Sequence, residues 1–228
     1  MARKPSNTAC IYESIIKKDN LKQFVFDNTR NTFNNFRDLV KSIVADYQKK
    51  MSRDSRKELL TFKDKGEFQF ELEFASDILV FVLHSNVFEF DRNHEVRKTK
   101  YIQDDNSRSY CGVILVYNFL SDSFKYGRIN DVGYLVARIF INKELHYFIE
   151  GKREIGMLYS NFENSIMDKT SVSSIVESAM MYCLNFDLLS PPFDNIKEVT
   201  VSEVMENLEQ MRIKTGKRLG FRFQADKK

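Results

Sequence analysis

The sequence predicts an α+β domain in which helices pack against an antiparallel sheet of five to six strands. Apolar residues recur every three or four positions in the first 60 residues, and they alternate with polar residues between residues 66 and 151. The 228-residue chain contains 20 Phe and 10 Tyr but only 8 Gly and 3 Pro, which is too little Gly and Pro for a low-complexity chain. A hydrophobic content of 43% with a net charge of +3 indicates a folded chain.

Residues 1–60 are predicted to form a helical layer. Between Asn31 and about Leu59 a helix is indicated by apolar residues on one face, namely Phe33, Phe36, Val40, Ile43 and Tyr47. A shorter helix is expected around Ala9 to Lys18. Asp19-Asn20 is expected to break the helix before a second apolar stretch from Leu21 to Phe26.

Residues 66–151 carry the predicted sheet. Phe68 to Phe74 alternates apolar and acidic or amide residues, which favours a half-buried strand. Ile78 to Leu83 is apolar on both sides and is expected at the centre of the sheet, and His84 to Phe90 can continue it. Three further strands are predicted at Tyr110 to Phe119, Tyr134 to Ile141 and Glu144 to Glu150, with Asn142-Lys143 as the turn of a hairpin.

The charged segment from Asp91 to Ser109 is predicted to be a long loop or an excursion beyond the sheet edge. Residues 170–223 are expected to close the domain. Ser171 can cap a first helix, which Pro191-Pro192 ends, and Thr200 to Glu203 resembles a capping box before a second helix that runs to about Met211. Leu219 to Phe223 is predicted to be a short strand. Because no linker or internal repeat is visible, residues 1–228 are expected to form one domain.

The cellular compartment of the protein is predicted from its cysteines and its apolar runs. Cys10, Cys111 and Cys183 are odd in number and widely spaced, which favours free thiols in a reducing cytoplasm. The N-terminal residues lack the apolar run of a secretory signal. The longest apolar run, Ile78 to Leu83, is too short to cross a bilayer, so no membrane association is expected.

Polar chemistry is expected at the open end of the predicted hairpin. A turn at Asn142-Lys143 makes paired residue numbers sum to 285, which places Asp131 opposite Glu154 and Gly133 opposite Lys152. Two polar loops, residues 122–131 and 150–154, therefore meet there. A solvated hairpin end with ordinary surface ion pairs is one interpretation of this cluster.

The leading functional hypothesis is a non-catalytic, regulatory domain that binds a ligand or protein partner and needs no cofactor. Cations from both loops would hold an anionic or nucleotide-like ligand while a tyrosine ring stacks on it. The candidate ligand-binding residues are Lys125, Tyr126, Arg128, Lys152 and Arg153. In its layout, an antiparallel sheet flanked by helices, the predicted fold is similar to sensor modules of the GAF or PAS type.

An alternative uses Asp131, Glu150 and Lys152. This Asp…Glu-x-Lys arrangement resembles that of the restriction-endonuclease-like metal nucleases. The resemblance implies a Mg²⁺-dependent nuclease in which the two carboxylates hold the metal and the lysine orients or activates water. Nucleic acid is an expected partner only under this alternative, because a net charge of +3 supplies little general attraction to phosphate.

Three further predictions concern isolated features. A homo-oligomer could form through the exposed face of the helix from Asn31 to Leu59. His84, His94 and His146 are expected to be solvated or hydrogen-bonded rather than metal ligands. Arg138 is predicted to share a strand face with Tyr147, so that it stacks on that ring, reaches solvent or pairs with a buried acid.

Overall fold

The computed structural model describes residues 7–51, 59–151, 161–185, 190, 192–195, 197–202 and 205. It confirms the α+β prediction: one long N-terminal helix and a later helix pack on a seven-stranded antiparallel sheet. No helix in the described part of the chain is long and apolar enough to cross a membrane.

A single helix, α1 (Asn7–Lys50), replaces the two helices predicted at the N-terminus. The expected break at Asp19-Asn20 is wrong. Both residues are exposed, so the helix continues without burying a polar group at this point. α1 ends at Lys50 rather than near Leu59, with Lys49 and Lys50 in the last turn, where positive charge is favourable.

The first three strands form an antiparallel meander of β1 (Leu60–Asp64), β2 (Gln69–Phe74) and β3 (Asp77–Leu83). β1 is not among the predicted strands, because only Leu60 and Phe62 mark its apolar face. The predicted central strand at Ile78 to Leu83 is confirmed, since β3 lies between β2 and the strand that begins at Tyr110.

The remaining strands are β4 (Phe88–Glu89), β5 (Tyr110–Leu120), β6 (Tyr134–Asn142) and β7 (Tyr147–Gly151). The sheet order is β1-β2-β3-β5-β6-β7, and β4 pairs with β5 beyond the end of β3. The prediction that His84 to Phe90 continues β3 is therefore wrong.

The β6–β7 hairpin differs from its predicted register. Arg138 lies opposite Glu150 and Ile139 opposite Ile149, so the paired numbers sum to 288 rather than 285. A four-residue loop, 143–146, replaces the two-residue turn, and the Asn142 side-chain oxygen accepts hydrogen bonds from two amides of this loop. The sum of the paired numbers thus differs from the prediction by three. Because three is odd, every side chain of one strand lies on the opposite sheet face relative to its predicted partner. Arg138 consequently lies opposite Glu150 and not on the face of Tyr147.

One sheet face packs against α1 and against α4 (Lys169–Leu184), which confirms the first predicted C-terminal helix. The predicted cap is wrong: Asp168, and not Ser171, caps α4, because its side chain accepts a hydrogen bond from the Ser171 amide. The buried side chains of this core come from both helices and from six strands, and include Phe33, Phe36, Val40, Leu60, Phe70, Phe81, Ile114, Ile139, Ile149, Ile175 and Val176. This packing fixes the sheet that carries the loops described below.

The charged segment 91–109 covers part of the opposite face. It contains α2 (Lys100–Asp104) and two short 3-10 helices, 95–98 and 106–109. Val96, Tyr101 and Ile102 are buried against the sheet. Burial raises the pKa of the Tyr101 hydroxyl, which donates a hydrogen bond of 2.8 Å to Glu144 at the hairpin turn. The segment is therefore a structural cap and not a free loop.

The second predicted C-terminal helix begins as expected, since Val201, Ser202 and Met205 are helical. Residues 203, 204 and 206–211 of that prediction lie outside the described residues. The short strand predicted at Leu219 to Phe223 also lies outside them.

Candidate functional site

The loop between β5 and β6, residues 121–133, begins with the short helix α3 (Ser121–Lys125) and is closed by its own polar groups. The Ser123 hydroxyl donates a hydrogen bond of 2.6 Å to Asp131 Oδ2, and the Arg128 amide donates one of 2.8 Å to the Ser123 carbonyl. Gly127 adopts a φ of 59°, which a residue with a side chain rarely does. Asp131 is thus an acceptor that holds the loop together.

Three of the predicted ligand-binding residues come together on this loop. The Arg128 guanidinium carbon lies 5.4 Å from the centre of the Tyr126 ring, and Lys125 Nζ lies 5.2 Å from the same centre. Both cations therefore lie close to the same aromatic ring. The other two predicted residues, Lys152 and Arg153, lie outside the described residues.

Arg128 has an incomplete set of partners. Its side chain is only 9% exposed, and its nearest carboxylate contact is 3.8 Å, from Nη1 to Asp131 Oδ2. Arg128 Nε is buried and has no hydrogen-bond acceptor among the described residues. Leaving a buried donor without an acceptor costs about 1–3 kcal/mol, so such a group in a folded protein calls for an explanation.

A concavity of about 590 Å³ adjoins the same loop. Its lining residues are Val132, Gly133, Tyr134, Leu135, Arg138, Glu150 and Gly151. Val132 and Leu135 are 70% and 39% exposed, so the apolar part of the lining is open to solvent. Val132 is four residues from Arg128, which limits the separation of their Cα atoms to about 14 Å.

The two charged residues that line this concavity, Arg138 and Glu150, form a network with His94. Arg138 Nε donates a hydrogen bond of 2.8 Å to Glu150 Oε2, and His94 Nε2 lies 3.3 Å from Glu150 Oε1. His94 Nδ1 accepts a hydrogen bond from the Val96 amide. Sequence reasoning identified neither this role of His94 nor the pairing of Arg138 with Glu150, because the 91–109 cap and the hairpin register bring these residues together.

The two carboxylates of the Asp…Glu-x-Lys resemblance have different partners. Asp131 contacts Ser123 and Arg128, whereas Glu150 contacts Arg138 and His94. Lys152 and Glu154 lie outside the described residues, and the predicted placement of Asp131 opposite Glu154 depended on the wrong register. Within the described ranges, no three His, Cys, Asp or Glu side chains are grouped so that they could hold a metal ion.

The remaining histidines and the cysteines lie outside the loop and the concavity. His84 Nδ1 accepts a hydrogen bond from the Asn86 amide, and the His146 ring stacks on Tyr101 at 4.6 Å. Cys111 and Cys183 are buried free cysteines and Cys10 is an exposed one. Burial raises the pKa of the Cys111 thiol, which disfavours the reactive thiolate.

Comparison with protein family models, with curated proteins and with solved structures finds no match for this chain. Function is therefore inferred from the geometry of the β5–β6 loop and of the concavity beside it. The loop contributes cations and an aromatic ring, and the concavity contributes open apolar surface.

Proposed function

We propose that this protein is a non-catalytic, regulatory domain that binds an anionic ligand at the loop between β5 and β6. Arg128 and Lys125 hold the anionic group, and both cations lie within 5.4 Å of the centre of the Tyr126 ring. The concavity beside the loop takes an apolar part of the same ligand. The observation that carries this proposal is the nearly buried Arg128 guanidinium, whose Nε lacks an acceptor.

An anionic group suits Arg128 for two reasons. A guanidinium presents its donors in a planar fork that matches a carboxylate or phosphate, and such hydrogen bonds are stronger than those between neutral groups. Asp131 does not already fill this role, because its Oδ2 accepts the Ser123 hydroxyl and lies 3.8 Å from Arg128. A bound anion would supply the acceptor that Nε lacks.

The concavity favours an uncharged ligand portion. Its arginine, Arg138, is already paired with Glu150, so it exerts little net attraction on a second anion. Val132 and Leu135 instead offer exposed apolar surface. A separation of at most about 14 Å between Arg128 and Val132 lets one nucleotide-sized molecule reach both features.

A fluorescence titration with 8-anilinonaphthalene-1-sulfonate tests the proposal, because this probe joins an anionic sulfonate to apolar rings. Arg128→Gln is expected to weaken probe binding at least tenfold, since a charged hydrogen bond contributes about 1.5–3 kcal/mol. Arg92→Gln is the matched control, because Arg92 is exposed and lies outside the site. Leu135→Ser is expected to weaken binding as well, whereas Leu184→Ser, at a similarly exposed leucine on α4, is not.

Competition with pyrophosphate separates the two parts of the site. Pyrophosphate is expected to displace the probe from the wild type and to lose this effect in Arg128→Gln. The proposal would be overturned if the wild type and Arg128→Gln bind the probe with equal affinity while circular dichroism shows that both proteins are folded.

A catalytic role is tested separately with supercoiled DNA. The proposal predicts no cleavage in the presence of Mg²⁺ or Mn²⁺. Metal-dependent cleavage by the wild type that is lost in Lys152→Ala would contradict the non-catalytic assignment and support the nuclease.

A further inference from the structure

His94 joins the 91–109 cap to the charged residues that line the concavity. Its ring stacks on Phe90, with ring centres 4.7 Å apart, and makes a T-shaped contact with Phe148 at 5.7 Å. The side chain is 26% exposed, so protons reach it from solvent. Histidine is the side chain that ordinarily gains or loses its charge between pH 5 and 8. The charge beside the concavity can therefore depend on pH.

Both ring nitrogens of His94 have partners that fit the neutral ring. Nδ1 accepts a hydrogen bond of 3.2 Å from the Val96 amide, so it carries no proton. The single proton of the neutral ring is therefore on Nε2, which lies 3.3 Å from Glu150 Oε1. A second proton has to go to Nδ1, where two donors would then face each other. Protonation of His94 must consequently release the Val96 amide.

The charges around the ring determine what the added proton does. Glu150 contacts the ring and also pairs with Arg138, so these two charges cancel while His94 is neutral. Carboxylates, lysines and arginines ordinarily keep their charge between pH 5.5 and 8. The charged residues of β4 and of the chain within four positions of His94 are Glu89, Asp91, Arg92, Glu95, Arg97 and Lys98. They add a constant field, so protonation changes the network of His94, Arg138 and Glu150 from neutral to one net positive charge.

We infer that His94 is a proton switch that raises the affinity of this site for its anionic ligand as the pH falls. The inference rests on the proposed function, because it concerns the ligand held by Arg128. Protonated His94 shares Glu150 with Arg138, so the charge of Arg138 is less completely neutralised. A unit charge on the order of 10 Å from an anion changes its affinity about two- to fourfold at low ionic strength.

A titration with 8-anilinonaphthalene-1-sulfonate at pH 8 and at pH 5.5 tests the switch, because the sulfonate stays charged over this range. The wild type is expected to bind the probe about two- to fourfold more tightly at pH 5.5. His94→Asn is expected to lose this difference, although asparagine can still accept the Val96 amide. His84→Gln is the matched control: His84 Nδ1 also accepts an amide two residues on, from Asn86, but His84 does not line the concavity.

Two further measurements use the same conditions. Glu150→Gln leaves Arg138 unneutralised at both pH values, so it is expected to bind the probe more tightly than the wild type at pH 8. In the NMR spectrum of the ligand-free wild type, the Val96 amide proton is expected to move upfield between pH 8 and pH 5.5 as it loses its acceptor. The Ser107 amide, which donates to Asp105 at 2.9 Å, is expected to stay in place.

The inference would be overturned by an equal pH dependence of probe affinity in the wild type and in His94→Asn, or by a stationary Val96 amide resonance. A pH dependence that persists unchanged in 1 M salt would also overturn it, because salt screens an added charge. The proposed function fails by a different result, which is equal probe affinity of Arg128→Gln and the wild type at both pH values. The Val96 resonance reports on the proton switch without any ligand, so the two failures are distinguishable.

Discussion

Gly112→Ala is expected to destabilise the protein by forcing α1 away from the sheet. Gly112 lies on β5, and a Cβ atom built there would stand 2.1 Å from Thr29 Oγ1 and 2.7 Å from Thr29 Cβ. Rotation of the Thr29 side chain cannot move its own Cβ, so the backbones must separate. Overpacking of this kind lowers the free energy of unfolding by up to about 3 kcal/mol, and replacing a strand glycine with alanine raises it by about 1 kcal/mol. The net loss is about 2 kcal/mol.

Thermal unfolding followed by circular dichroism measures this loss as a decrease in Tm of about 4–8 °C for a chain of this size. Gly127→Ala is the control, because no atom lies within 4 Å of its Cβ position and only its φ of 59° opposes the change, at about 1 kcal/mol. In a double-mutant cycle of Gly112→Ala and Thr29→Gly, the coupling energy is expected to be about 1 kcal/mol or more, because the second substitution removes the atoms that the first one contacts. An unchanged Tm in Gly112→Ala would refute the close contact between α1 and β5.

Three further variants test other contacts. Arg37→Lys is expected to lower the free energy of unfolding by about 1–2 kcal/mol in urea denaturation. Arg37 Nη2 donates to the carbonyls of Gly66 and Glu67 while Nη1 donates to Asn34 Oδ1, and one ammonium group cannot serve both sets of acceptors. The Lys143 ammonium holds the pKa of Asp105 below its ordinary value of 3.8. The difference in the free energy of unfolding between the wild type and Asp105→Asn should therefore be complete above pH 4 and shrink as the pH falls. A difference that does not change with pH would contradict this. Tyr101→Phe should cost about 1–2 kcal/mol in the same denaturation assay, since Glu144 Oε2 loses the Tyr101 hydroxyl while Oε1 keeps the bond from Arg108 Nε. A neutral change would mean that the hydroxyl contact does not hold the cap.

Much of the fold follows from periodicity in the sequence. The predicted strand at Ile78 to Leu83 is confirmed because a continuous apolar run is typical of a strand buried on both faces. The helix that begins near Ser171 is confirmed because its apolar residues recur at helical spacing over several turns. β1 could not be predicted from two apolar residues. The expected helix break at Asp19-Asn20 is wrong, because residues that favour turns lower the stability of a helix only slightly when they lie on its exposed side.

The candidate site was only partly predictable. Lys125, Tyr126 and Arg128 are close in sequence, so a local prediction could group them. The Arg138–Glu150–His94 network could not be predicted, because it depends on a hairpin register in which paired numbers sum to 288 rather than the predicted 285. A register set by the Asn142 side chain is not visible in hydrophobic periodicity.

The most direct measurement of the central claim is the NMR signal of the Arg128 Nε–H group during titration with 8-anilinonaphthalene-1-sulfonate. This group has no acceptor among the described residues. If the sulfonate binds Arg128, the Nε–H resonance should shift downfield in proportion to the bound fraction and exchange more slowly with water, while that of Arg92 stays in place. A stationary Arg128 resonance at a probe concentration that saturates the fluorescence change would contradict the account.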